Sequence, residues 1–264
     1  MKFAYPVLTE ETIAPSLGAS GKYEDIFPNL SEIGYEAVEL LIRDPSKIKT
    51  QQLLSQLDQA SLKVASIGTG PIVADDSLTL SNPDQSKEAV KRASSIIDMA
   101  SDLKSSVSLG KFRGSVQNKA SHWNTLVSNL TSIIDYADRK NVEILFESQN
   151  LQVMDHLTNT KEMVNFINSY FTNANVNLMV DVFHIFEAGE SINKSLKLAD
   201  GRLSYVHISD SERRIPGEGE FDFKEIFTAL KKLHYKGYIT PEIKQSVDSI
   251  QTARKSLNYL KQYV

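Results

Sequence analysis

The sequence predicts an α/β protein built as a single (β/α)8 TIM barrel spanning residues 1–264. Short β-branched runs alternate with longer amphipathic stretches from one end to the other, the pattern of repeated βα units and a parallel sheet. The strand runs number eight, the barrel number. Several of them close on a polar residue, at the strand ends where a barrel binds its ligands.

In order, strands are expected at Lys2 to Leu8, Glu36 to Ile42, Lys63 to Thr69, Ser105 to Leu109, Val142 to Glu147, Val176 to Asp181, Leu203 to Ser209 and Tyr238 to Ile243. Helices fill the gaps at Tyr23 to Ile33, Lys47 to Ala60, Pro83 to Asp102, Gln117 to Arg139, Asn159 to Tyr170, Ile192 to Ala199, Phe223 to Leu233 and Ser249 to Gln262. The third helix is the best marked. Asn82 can cap it, Pro83 suits its first position, and Ala89, Ala93, Ile96, Ile97 and Ala100 form an apolar stripe that should face the barrel. Asn141 and Gly237 mark helix-to-strand turns. No linker or composition break interrupts the chain, and an open doubly wound sheet is the architectural alternative, because periodicity does not show whether a sheet closes.

With 41% hydrophobic and 23% charged residues the chain has ample material for a core. A formal charge of −4 offers no general basic field for nucleic acid or an anionic membrane surface. No cysteine is present, which excludes disulfides, thiolate metal sites and a cysteine nucleophile. Without a secretory h-region or an apolar run long enough to span a bilayer, a cytoplasmic protein is expected.

Strand ends carry the chemistry. Glu147 closes the fifth strand, Asp181 the sixth and His207 ends the apolar part of the seventh, while Glu242 lies near the end of the eighth. Successive βα units thus bring three carboxylates and an imidazole side by side. Such a set repels itself unless a cation sits within it. Its mostly hard oxygen donors suit Mn2+, Mg2+ or Co2+ better than a structural zinc site, with Mn2+ the first choice and Zn2+ also compatible. A six-coordinate ion would leave two positions for the oxygens of a hydroxy-ketone, whose carbonyl it would polarise toward an enediolate. Taken singly, each of these residues has a blander reading: a strand-end carboxylate paired with arginine, or a satisfied core histidine. Their joint placement favours the metal. His122, His156 and His234 fall on helices or loops and read as structural.

The segments Asp181-Val182-Phe183-His184, His207-Ile208-Ser209-Asp210-Ser211-Glu212-Arg213 and Pro216-Gly217-Glu218-Gly219-Glu220-Phe221-Asp222-Phe223 resemble those of the sugar phosphate isomerase/epimerase family of xylose-isomerase-like barrels. Gly34-Tyr35-Glu36-Ala37-Val38-Glu39, Arg43-Asp44-Pro45-Ser46 and Ile67-Gly68-Thr69-Gly70 extend the resemblance to the amino-terminal half. Within the family the chain is most similar to ketose 3-epimerases of the tagatose/psicose type and to 5-keto-gluconate epimerases. The resemblance implies that Glu147, Asp181, His207 and Glu242 are metal ligands, that Glu147 and Glu242 also transfer protons, and that His184, Arg213 and Asn150 contact substrate. For Arg213 a salt bridge to Asp210 or Glu212 is the competing role. The family segment E-P-L-N-R-Y-E reads here Glu147-Ser148-Gln149-Asn150-Leu151-Gln152-Val153, so the usual second glutamate is Val153 and a substrate hydroxyl contact is lost or replaced.

Arg43 and Arg113 follow the second and fourth strands, where either could clamp a carboxylate or phosphate or be a plain loop arginine. Gly68 and Gly70 read as turn residues, or as points of close approach to substrate. The expected partner is a small sugar or sugar acid, with no nucleic acid or membrane, and self-association into a homo-oligomer is left open. Two other functions compete: a metal-dependent apurinic endonuclease-like nuclease, which would call for more histidines and a basic face, and an inactive sugar-binding barrel.

Overall fold

A computed structural model describes residues 1–15, 17–117 and 119–264. Its strands are β1 (Lys2–Leu8), β2 (Ala37–Leu41), β3 (Lys63–Gly68), β4 (Ser106–Leu109), β5 (Ile144–Glu147), β6 (Val176–Asp181), β7 (Leu203–Ile208) and β8 (Tyr238–Pro241). Each pairs in parallel with the next, and β8 returns to β1 through Lys2↔Tyr238 and Phe3↔Ile239, so the sheet closes. Closure decides against the open doubly wound sheet.

The helices are α1 (Tyr23–Ile33), α2 (Thr50–Gln59), α3 (Gly70–Asp76), α4 (Ser86–Leu103), α5 (Ala120–Arg139), α6 (Thr160–Tyr170), α7 (Val182–Glu187), α8 (Ile192–Ala199), α9 (Phe223–Lys232) and α10 (Ser249–Leu260). The stripe Ala89, Ala93, Ile96, Ile97 and Ala100 of α4 is buried as its spacing predicts. Asn82 does cap, but it heads a 3-10 turn over Pro83–Gln85 that leads into α4. Asn141 takes φ 55°, the left-handed turn expected of it. Short α3 and α7 have no counterpart in the sequence pattern, because six or seven residues do not complete two turns of helical periodicity. Among the described residues no helix is long and apolar enough to cross a membrane.

The core divides in two. Outward-facing strand residues such as Ile144, Phe146, Leu178, Val180, Val206 and Ile208 pack with the helices in one large cluster. Inside the barrel a smaller cluster of Ala4, Ala37, Ala65, Leu145, Met179 and Tyr205 fills the lower layer. Side chains two residues apart on a strand share a face. The layer above Leu145, Met179 and Tyr205 is therefore Glu147, Asp181 and His207.

Candidate metal centre

Those three residues, with Glu242 just beyond β8, meet at the carboxy-terminal mouth. Asp181 and His207 are direct register partners. Ligand-type atoms of Asp181, His207 and Glu242 all lie within 4.8 Å of one another, as do those of Glu147, Asp181 and His184, so Asp181 joins the two groups. Glu147, His207 and Glu242 line a cavity of about 750 Å³.

Each donor is held by a neighbour. Asp181 Oδ1 accepts a hydrogen bond from the Phe183 amide at 2.9 Å and thereby caps α7. His207 Nε2 lies 2.6 Å from Glu39 Oε2, which leaves Nδ1 facing Glu242 Oε1 at 3.6 Å. The amide of Gln149 donates to Glu147 Oε2 at 2.8 Å. Asn150 Oδ1 accepts from the backbone N–H of Gln152, so Nδ2 faces His184 Nδ1 at 3.1 Å. Arg213 Nη2 lies 3.3 Å from His184 Nε2, so a donor faces each ring nitrogen and the two contacts call for opposite tautomers. His184 Nε2 also lies 3.8 Å from Asp181 Oδ2 and 3.9 Å from Glu147 Oε1.

Arg213 pairs with neither Asp210 nor Glu212. Its guanidinium lies 2.6 Å from Asp181 Oδ2 and 2.8 Å from Glu242 Oε2, and it stacks over Phe183 at 4.2 Å. Glu212 and Arg213 hold φ at 59° and 60°, a conformation costing about 1–3 kcal/mol each in a non-glycine residue. Asp210 supports that turn by accepting from the amides of Ser211, Gly217 and Phe221.

The environments of the two glutamates diverge. Burial, with Glu242 and Asp181 close by, pushes the Glu147 carboxyl up to about 8. Burial opposes ionisation of Glu242 too, but Arg213 and His207 outweigh it and hold that carboxyl below the usual range. For His207, burial disfavours the charged ring, yet Glu39 and Glu242 outweigh it and raise its pKa well above the imidazole range.

Neither Arg43 nor Arg113, the expected substrate contacts, is among the residues that line the cavity. Arg43 is engaged by Asp76, with its Nη2 2.8 Å from Oδ1, in a network that Arg92 completes at 2.9 Å. Arg113 is fully buried; its Nη2 donates to the Glu147 carbonyl at 2.8 Å and its Nε to the Gly110 carbonyl at 3.2 Å. It braces backbone and offers no anion clamp at the mouth. Gly68 is more than a turn. A Cβ there would lie 2.6 Å from Leu41 Cδ2 and 3.0 Å from Glu39 Oε1, so its bare backbone makes room for Glu39.

Glu39 is the residue that strand-end reasoning misses. It sits inside β2, 1% exposed, and crosses the barrel to His207. The one available signal was a carboxylate in the middle of the apolar run Ala37–Leu41. A carboxylate behind a ligating imidazole fixes its tautomer and orientation, and loss of such a partner typically costs about 10–100-fold in metal affinity. Glu39→Gln is accordingly expected to weaken Mn2+ binding by about that factor, read by titration calorimetry. An unchanged affinity would leave Glu39 a purely structural role.

Two buried ligand-type atoms of the cluster, His207 Nδ1 and Asp181 Oδ2, have no hydrogen-bond partner. Asp181 Oδ2 touches Arg213 without the alignment of a hydrogen bond. An unpartnered imidazole nitrogen among three carboxylates, two of which share the Arg213 guanidinium, fits a divalent cation of oxygen-preferring type.

A closed parallel barrel with an acidic and histidine cluster at its carboxy-terminal mouth defines the class. The chain belongs to the xylose isomerase-like TIM barrel family, whose pattern matches residues 27–263. It is similar to L-ribulose 3-epimerase of Methylomonas sp., 27% identical over 257 residues with 87% of each chain covered. It is also similar to D-psicose 3-epimerase of Agrobacterium fabrum, 30% identical over 126 residues that cover 47% of this chain and 43% of the other. Among solved structures, D-allulose 3-epimerase from Methylomonas sp. in complex with D-allulose matches with a TM-score of 0.79 at 22% identity, covering 100% of this chain and 98% of that one. At that identity the likeness is one of fold.

Proposed function

We propose that the chain is a divalent-metal-dependent sugar epimerase, an isomerase that acts on a ketose or keto sugar acid by removing and returning a proton beside the carbonyl. The observation that carries this reading is the convergence of Glu147 and Glu242 with Asp181 and His207 at the mouth, with His207 Nδ1 left without a hydrogen-bond partner. The similarity to ketose 3-epimerases supports it.

Glu147, Asp181, His207 and Glu242 would hold the ion, Mn2+ being the first choice for a mostly oxygen set. When bound, such an ion polarises a carbonyl oxygen and acidifies the neighbouring C–H. Glu147 and Glu242 stand on β5 and just beyond β8, with β6 and β7 between them, so one can take the proton from one face of the substrate and the other return it to the opposite face. His184, held between Asn150 and Arg213, stands where it can hydrogen-bond a substrate oxygen. Arg213 supplies a fixed positive charge beside it. Burial keeps competing water away from Glu147 and Asp181, while Glu242 is partly exposed at the mouth.

The test is hydrogen exchange. Mn2+-loaded protein incubated in deuterated water with D-psicose, D-tagatose, L-ribulose, keto sugar acids and their phosphates is expected to introduce label at the carbon beside the carbonyl, and chelation to stop it. No label with any compound would overturn the reading. Nicking of an abasic duplex at catalytic protein concentration would replace it with the nuclease.

A further inference from the structure

The segment that follows the inward face of β5, Glu147 to Asn150, is buried at every position. Gln149 is the member whose polar atoms are unequally used. A glutamine amide brings two N–H donors and one acceptor oxygen. Toward an ionised Glu147 only the nitrogen can turn, and Nε2 lies 2.8 Å from Glu147 Oε2. Oε1 is thereby turned elsewhere, and it is buried with no hydrogen-bond partner. Buried amide oxygens nearly always have one. Gln149 lines the same cavity as Glu147, His207 and Glu242.

The backbone is shaped around this pair. A Cβ at Gly110 would stand 2.5 Å from Glu147 Oε2 and 2.9 Å from Gln149 Nε2, so any side chain there would displace both. Glu147 Oε1, the other oxygen, lies on the side of His184. Val153, further along the same loop, is half-buried and brings no polar side chain.

We propose that Gln149 is a specificity-determining residue: its Nε2–H holds the outer oxygen of Glu147, and its Oε1 accepts a hydrogen bond from one hydroxyl of a polyhydroxy ketone bound in the mouth. The inference rests on the epimerase reading above and deepens it. An acceptor fixed at this point selects a free hydroxyl at one carbon of the substrate. A methylene there leaves the oxygen unpaired, and a keto group or a phosphate ester sets acceptor against acceptor.

The experiment is a cycle across protein and ligand. Steady-state kinetics of Mn2+-loaded wild type and Gln149→Leu are measured with D-psicose, D-tagatose and L-ribulose and with the monodeoxy derivatives that keep the reacting carbons. Leucine matches glutamine roughly in size and has no polar side-chain atom. Gln149→Leu is expected to raise KM for the parent ketose by about tenfold or more. One monodeoxy derivative, disfavoured by wild type to a similar extent, should lose markedly less on substitution than the parent ketose does. A loss of the same size across the whole series would overturn the proposal, since Gln149 would then only hold Glu147 in place. Thermal melting checks that the variant folds. Should Gln149→Leu unfold, Gln149→Asn, which withdraws the amide by one methylene, serves in its place and is expected to lose discrimination against the same derivative. If wild type turns over no ketose, the epimerase reading falls and this inference falls with it. An active wild type whose discrimination survives in the variant overturns the inference alone.

Discussion

Glu147→Gln and Glu242→Gln each lower turnover by on the order of a hundredfold or more, since a positioned proton-transfer group typically contributes about 10²–10⁴. Glutamine preserves the shape of the side chain and an oxygen toward the cluster, but it cannot accept the proton. The two variants should also fail differently. If each glutamate serves one face of the substrate, the variant that keeps Glu242 still exchanges the hydrogen of one epimer with solvent, and the variant that keeps Glu147 that of the other. Interconversion is lost in both. Deuterium wash-in to each separate epimer, followed by NMR, reads this directly. Near-normal turnover in either variant removes that glutamate from the mechanism.

Asp181→Ala has the second large effect, on metal content. Asp181 lies in both donor groups, so its loss removes the shared point of the cluster. The cost in Mn2+ affinity should exceed the roughly 10–100-fold that loss of an outer-shell partner typically causes. Alanine also removes the cap of α7, worth about 1 kcal/mol, and one of the two carboxylates that Arg213 meets. Asp181→Asn separates these effects. It keeps a capping oxygen for the Phe183 amide but not the negative charge, so the fold should persist while metal content falls. Elemental analysis of protein purified in Mn2+, beside a thermal melt, checks both variants. Full metal content in Asp181→Asn would remove Asp181 from the ligand set.

The barrel was legible because its signal is repeated: the turn from a β-branched run to an amphipathic one recurs unit after unit. The cluster was legible for a related reason. Inward-facing positions two residues above Leu145, Met179 and Tyr205 are polar, and a strand that ends this way advertises where it opens. Reading along the chain finds what a strand end carries, but not what a side chain touches. Arg43 and Arg113 stand at correct strand ends, yet Asp76 engages the first and backbone carbonyls hold the second. Glu39 escaped because its significance lies in a contact with a residue 168 positions away. Gln149 escaped because a buried glutamine in a loop looks unremarkable until one of its atoms is seen to lack a partner.

The hydrogen bond between Glu39 and His207 runs from the second strand to the seventh, across the hollow of the barrel. All four proposed ligand positions belong to the carboxy-terminal half, from β5 onward, yet one of them takes its orientation from the amino-terminal half. The half-barrels are therefore not interchangeable parts. A chimera that joined β5 to β8 of this chain to the first four strands of another barrel would inherit every donor of the cluster and still present His207 at an undetermined angle. Only a donor barrel with a carboxylate at the inward middle position of its second strand, and a bare backbone beside it as at Gly68, would complete the graft.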